Sequence, residues 1–275
     1  MNNKKNIYGF QQKIIDNLKQ IDHNSNNFYN YKGLNFLSKL SFQNNILIIN
    51  FHGAVKGFGK ERIIFRGFNY SIKNTDIVCI SDFLMNIYDN YQVNWCLSSA
   101  KYNIDNIYKE LFSFLIDCKS YKNVIFTGSS AGGYPSIYFA SYFGKIALLS
   151  NPQIYLEKYG YLQKNSKNPW GFYQLAKMLA DNGDSILYEP LAIEKHIEKY
   201  KPKKIIIYSN IFDIGTYKDH VLQFVEFLKK NQLNYLLELN IFEGITPPEG
   251  KTNHEINFPN GLSHLKILMH HIDLL

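Results

Sequence analysis

The sequence predicts an α/β protein in which a mainly parallel central sheet lies between helical layers. Three observations predict it. From residue 46 onward, short runs rich in β-branched residues alternate with amphipathic stretches, the pattern of strands joined by crossover helices. Ile46-Leu47-Ile48-Ile49-Asn50-Phe51 is apolar at nearly every position, as in a strand covered on both faces. No repeat, low-complexity linker or compositional break divides the 275 residues, so a single domain over 1–275 is expected; α/β units of this length commonly form one.

In chain order, the apolar residues of Ile7–Ile21 recur at helical spacing and predict a helix. With the Asn-rich break at His23–Asn27 it would make an N-terminal appendage over 1–27. Two strand-like pieces follow between Phe28 and Phe42, then the run Ile46–Phe51, which ends at His52-Gly53. Further strands are expected at Ile77–Ile80, Val124–Thr127, Ile146–Leu149, Ile205–Ser209 and Leu236–Phe242. Helices are expected at Ile104–Cys118, Gly132–Tyr142, Trp170–Ala180, Val221–Lys230 and Gly261–Leu275. The stretch from about Pro152 to Lys201 departs most from alternation and is read as an inserted helical cap or lid.

Hydrophobic residues make up 45% and charged ones 19%, which excludes an extended disordered chain. The 21 Tyr and 20 Phe supply core, and some rings would suit a carbohydrate or acyl pocket. A formal charge of +7 favours anionic partners. The basic residues are scattered in short clusters such as Lys201 with Lys203–Lys204, without an arm or motif for nucleic acid. Cys79, Cys96 and Cys118 are odd in number and lack CxxC spacing, which indicates reducing surroundings. The basic start Met1–Asn6 is not followed by a signal-peptide hydrophobic stretch. No run approaches the ~18 apolar residues of a membrane helix. A cytoplasmic location is expected, compatible with peripheral association with a membrane assembly.

The segment Thr127-Gly128-Ser129-Ser130-Ala131-Gly132-Gly133 contains Gly-x-Ser-x-Gly between an expected strand and an expected helix. A nucleophile on a sharp strand-to-helix turn needs small flanking residues, because the backbone folds against itself there. Ser130 would then head the helix, where the Ala131 amide can receive an oxyanion. A bland Gly/Ser turn is the alternative. A phosphate loop fits less well, since no Lys-Ser/Thr follows the glycines.

On these residues the chain resembles the α/β-hydrolase superfamily, from about Ile46 onward. The resemblance implies an α/β-hydrolase-like three-layer sandwich with a mainly parallel central sheet and a helical cap insertion. It also implies a Ser, acid, His order of catalytic residues. Asp213, a few residues beyond Ile205–Ser209, matches the acid position; an Asx turn is its alternative, and Asp219 reads more simply as a helix-start residue. His254, between the last strand and the last helix, matches the base. His264 is the alternative base, although it falls inside the expected helix. His270 and His271 suit a helix C-terminus, and His220 could approach from the edge. His52-Gly53-Ala54 resembles the segment that supplies the second oxyanion amide, from Gly53 or Ala54 beside that of Ala131. His52 and Arg66 are substrate-binding candidates, with Lys56 and Arg62 nearby able to meet substrate charge. No bound cofactor or metal is implied; the eight His have no ligand spacing.

Gly128–Gly133 together with Asn151-Pro152-Gln153 after the next strand resembles a narrower branch. It holds bacterial capsular-polysaccharide O-acetyltransferases and the glycan-acetylating protein of the accessory secretion system. That likeness implies acetyl transfer from acetyl-CoA to a carbohydrate or glycoconjugate hydroxyl, or removal of an O-acetyl group. An anionic acceptor would suit the basic chain. A general carboxylesterase or lipase, and an inactive hydrolase-fold binding or accessory protein, are the competing readings.

Overall fold

The computed structural model describes residues 6–41, 43–54, 63–88, 95–158, 171–187, 193–243 and 264–274. The chain opens with β1 (Asn6–Ile7) and β2 (Phe10–Ile15), then β3 (Asn26–Tyr31) and β4 (Leu34–Lys39). The apolar run Ile46–Phe51 is β5, buried at all six positions, and β6 is Thr75–Ile80. Helices α1 (Phe83–Ile87) and α2 (Ile104–Asp117) lead to β7 (Asn123–Ser129), α3 (Gly133–Tyr142) and β8 (Ile146–Ser150). Then come α4 (Phe172–Asp181), α5 (Ile193–Lys199) and β9 (Lys204–Asn210). A helical run follows as α6 (Ile214–Thr216), a π-helical turn Tyr217–Leu222 and α7 (Gln223–Lys230). The described chain ends with β10 (Leu237–Phe242) and α8 (His264–Leu274).

The strands form one sheet in the order β1-β2-β3-β4-β6-β5-β7-β8-β9-β10. From β6 to β10 every neighbouring pair is parallel, and β4 joins β6 antiparallel. Alternate side chains face opposite layers. Leu47, Ile49 and Phe51 of β5 enter an apolar cluster with α2, α3, α4, α5 and α7, whereas Ile46 and Ile48 enter a second cluster with Ile267, Leu268 and Ile272 of α8. The fold is therefore a three-layer α/β sandwich. Much of the aromatic excess is core: Phe112 meets Phe139 edge-on at 4.9 Å and Phe126 at 5.4 Å, geometries in which ring edges face π-clouds.

One expectation is corrected. Ile7–Ile21 is not a helix, and its described residues are not an appendage. Tyr8 (φ 54) and Gly9 (φ 80) lie in the left-handed region and turn β1 tightly into β2. β2 then pairs in parallel with β3, Gln12 opposite Phe28 and Ile15 opposite Tyr31. The apolar spacing suits a helical stripe, but pairing with β3 satisfies the backbone and buries Ile15, Leu18 and Ile21 without one. The described helices of the expected cap reach the core. Phe172, Leu175 and Leu179 of α4 and Ile193 and Ile197 of α5 bury into the same cluster as α2 and α3. His196 of α5 also bonds the Tyr138 carbonyl of α3 at 2.9 Å. No helix among the described residues is long and apolar enough to cross a membrane.

Candidate active site

In an open parallel sheet, ligands bind beyond the carboxyl ends of the strands, where successive connections leave in opposite directions. Here β5 is flanked by β6 on one side and β7 on the other. Gly53 follows β5, Ser130 follows β7, Gln153 follows β8 and Asp213 follows β9, so four of the residues that matter share that end.

Ser130 begins a 3-10 turn, Ser130–Gly132, between β7 and α3. Its φ of 53 lies in the left-handed region that non-glycine residues seldom occupy. The surrounding packing enforces that conformation. A Cβ on Gly128 would lie 2.4 Å from the Gly132 carbonyl oxygen, and one on Gly132 would lie 2.6 Å from that of Phe51. Only hydrogen fits at either position. Helix α3 is buried along its length, so its N-terminal amides point toward Ser130 from an interior where water screens them little.

The loop after β5 closes over the elbow. A Cβ on Gly53 would sit 3.6 Å from that of Ser130. His52 is buried, and both ring nitrogens are engaged: the Asp82 amide donates to Nε2 at 3.2 Å, so Nδ1 carries the proton and donates to the Gly53 carbonyl at 2.7 Å. Burial holds this imidazole neutral, pushing its pKa down against the opposing pull of Asp82. Both nitrogens being taken, His52 offers none to a substrate and instead builds the loop, a correction to its expected role. Because carbonyl and following N–H point opposite ways in a trans peptide, the Ala54 N–H is directed away from His52. Arg66 is exposed, on a segment whose Arg66 carbonyl accepts from Asn50 Nδ2. Lys56 and Arg62 lie outside the described residues.

The turn after β8 supplies the other wall. Gln153 is fully buried; its amide N–H donates to the Ser130 carbonyl at 2.9 Å and its Nε2 lies 3.3 Å from Ser130 Oγ. Its Oε1 accepts from the indole of Trp95 at 2.8 Å. Asn151 ties this turn to β9, donating its amide to the Tyr208 carbonyl at 2.8 Å and accepting from the Asn210 amide at 2.7 Å. His220, buried in the π-helical turn, accepts from the amides of Ile154 (3.3 Å) and Tyr155 (3.1 Å) at Nδ1 and so holds the same turn from behind.

Asp213 lies past the end of β9, half-buried, its amide bonded to the Asn210 carbonyl at 3.2 Å. Asp219 is exposed in the π-helical turn. His254 lies outside the described residues. His264, the first residue of α8, spans two strands at the opposite face of the sheet. Thr127 spends its hydroxyl proton on the Leu148 carbonyl (2.8 Å), so it accepts from His264 Nε2 at 3.0 Å; Nδ1 is left to accept from Ser150 Oγ at 2.9 Å. His271 is buried against the Tyr208 hydroxyl at 2.9 Å, and His270 is exposed. Among the described residues no group of His, Cys, Asp or Glu is arranged to hold a metal.

No protein-family model and no curated protein matches this sequence. Solved structures do share its fold. The capsule O-acetyltransferase of Neisseria meningitidis serogroup A superimposes with a TM-score of 0.57 over 87% of this chain and 88% of that one, at 17% identity. A mutant of that protein in complex with CoA gives 0.58 over 87% and 89%, also at 17% identity. With Ser130 on a strained elbow at the end of a central parallel strand, the shared fold has a name. This chain has the α/β-hydrolase fold.

For this α/β-hydrolase fold the elbow is legible in sequence reasoning, where Gln153 stands out only within the resemblance. Trp95, whose indole reaches Gln153 across 58 residues of chain, is not legible there; an isolated Trp in a loop carries no local signal. Nor are the partners of His264. Burial pushes the pKa values of His264 and His196 down to about 4 from the ordinary 6.5. The unfolded chain takes up protons through its ordinary value while the fold resists until about 4. Stability from these groups is therefore complete above about pH 6.5 and is lost as pH falls from there toward 4, by no more than roughly 3 kcal/mol each. Urea midpoints measured near pH 7 and near pH 5 should differ, and His264→Gln should narrow the difference.

Proposed function

We propose that this protein is a serine acyltransferase. It takes an acetyl group from acetyl-CoA onto Ser130 and passes it to a hydroxyl of a bacterial surface polysaccharide or glycoconjugate. The observation that carries the acyl-transfer reading is the elbow itself: a serine held at φ 53 at the head of a buried helix, with Gly53 packed beside it. Backbone strain of order 1–3 kcal/mol at a residue bearing a nucleophile is most simply explained by what it presents. The choice of donor and acceptor is supported by the capsule O-acetyltransferase with the same fold and by its complex with CoA. The charge of +7 favours an anionic acceptor.

In this reading His254 takes the Ser130 proton as Oγ adds to the thioester carbonyl, and Asp213 orients the imidazole and stabilises its charged form. The Ala131 N–H at the head of α3 receives the oxyanion. The partner amide is that of Gly53 or Ala54, in the loop that packs beside Ser130. Collapse breaks the carbon–sulfur bond, and the CoA sulfur leaves with the proton from His254. The acceptor hydroxyl then gives its proton to His254 and attacks the acetyl-Ser130 ester, restoring the serine.

Intact-mass analysis after incubation with acetyl-CoA should find one acetyl group, located on Ser130 by peptide mapping. A fluorophosphonate probe should label the same residue. A modified side chain elsewhere would sink the assignment. Asp213→Asn should lower kcat on the order of 10²–10⁴-fold with the fold intact; wild-type turnover would remove Asp213 from the mechanism. CoA release that requires added carbohydrate marks transfer, whereas release at full rate in water alone marks an esterase.

A further inference from the structure

Gln153 lies outside the Gly-x-Ser-x-Gly motif, yet its side chain touches the oxygen expected to react. The side chain can present only one face there. An indole N–H donates and cannot accept, so the atom of Gln153 facing Trp95 must be Oε1, and the amide nitrogen faces Ser130 Oγ at 3.3 Å. Nothing about the arrangement is loose. Gln153 is 0% exposed and Trp95 2%, and the main chain of Gln153 is fastened to the elbow through the Ser130 carbonyl. Trp95 (φ 55), Cys96 (φ 55) and Asn151 (φ 42) join Ser130 in the left-handed region, so strained non-glycine backbone gathers around this one amide.

We propose that the Gln153 side-chain N–H is a third donor to the oxyanion formed at Ser130, with Trp95 as its positioning residue. The inference rests on Ser130 being the nucleophile proposed above. In the resting state the N–H donates to a lone pair of Ser130 Oγ. A hydroxyl has one proton and two lone pairs, so this bond uses a lone pair and does not consume the proton. As Oγ bonds to the acyl carbon it gives its proton to the base and becomes an ether-type oxygen, a weaker acceptor, while negative charge grows on the carbonyl oxygen two bonds away. The N–H follows the charge with a small rotation about its clamped Oε1. A hydrogen bond to an ionised acceptor is about twice as strong as a neutral one, so the interaction strengthens in the transition state and raises kcat rather than affinity.

Gln153→Glu keeps the volume and the acceptor for Trp95 but replaces the donor with a carboxylate; Gln153→Met keeps the approximate shape and removes the donor. With p-nitrophenyl acetate as acyl donor at alkaline pH, both should lose about 10²–10³-fold in kcat, with KM changed little. The rate of fluorophosphonate labelling should fall in parallel. Trp95→Phe should shift kcat in the same direction by less, again without a KM change. A merely structural role would move stability or KM and leave the kcat of the better-folded variant near wild type. Wild-type kcat in either folded Gln153 variant, with Ser130→Ala inactive, overturns the inference and leaves the nucleophile standing. Turnover by Ser130→Ala overturns both.

Discussion

Ser130→Ala should abolish turnover, lowering kcat on the order of 10⁴–10⁶-fold while the protein remains folded. The size follows from covalent catalysis. Without Oγ no acyl-enzyme can form, and the remaining amides and binding contacts support only the residual rate seen when such a nucleophile is removed. The fold should survive because the strain at residue 130 resides in its backbone, which is set by the close approach of Gly132 to Phe51. Alanine meets the same left-handed conformation with a smaller side chain. Steady-state kinetics with acetyl-CoA and a thermal melt check both halves. A melt lowered by many degrees together with lost activity would show that Ser130 serves the fold instead.

Gly132→Val should have the largest effect on folding. A Cβ there would lie 2.6 Å from the Phe51 carbonyl oxygen and 3.0 Å from that of His52. Both atoms are backbone at the end of β5, buried in the centre of the sheet, so neither can rotate aside. The turn must open, separating β7 from β5 at the site and carrying Ser130 away from Gly53. A loss above about 3 kcal/mol is expected, beyond ordinary overpacking because backbone is displaced rather than side chain. Urea denaturation measures it, and a cleared-lysate yield far below wild type would agree. Gly132→Ala should fall between the two. A valine variant of normal stability would show that the elbow is less tightly packed than its contacts imply.

The corrected segment shares a cause with the missed residues. Ile7–Ile21 has the apolar period of a helix, and a window of that length cannot reveal that β3 lies alongside it. Likewise, the stretch between β8 and β9 interrupts alternation, and its pattern alone does not show that Leu175 and Ile197 bury in the same cluster as residues of α2 and α3. Local pattern reports which face is apolar. It does not report what covers that face.

Histidine roles divide in the same way. His52 was legible as the end of a buried strand, but its tautomer follows from the amide of Asp82, 30 residues away. His264 reads in the sequence as the alternative base inside the expected last helix. Its engagement by Thr127 and Ser150 comes from contacts across 137 and 114 residues. Both ring nitrogens are occupied beneath the sheet, which favours a role for His264 in anchoring α8.

By itself, the amino-acid sequence determined the central strands and the elbow. The apolar runs of β5 and β7 and the small residues at Gly128 and Gly132 act within a few residues of chain, where sterics leave one answer. Only the tertiary structure decided that both ring nitrogens of His52 are engaged, that Gln153 presents nitrogen rather than oxygen, and that the N-terminal segment is strand. Each of those depends on a hydrogen-bond partner brought from far along the chain, and a donor's direction is settled only once its partner is in place.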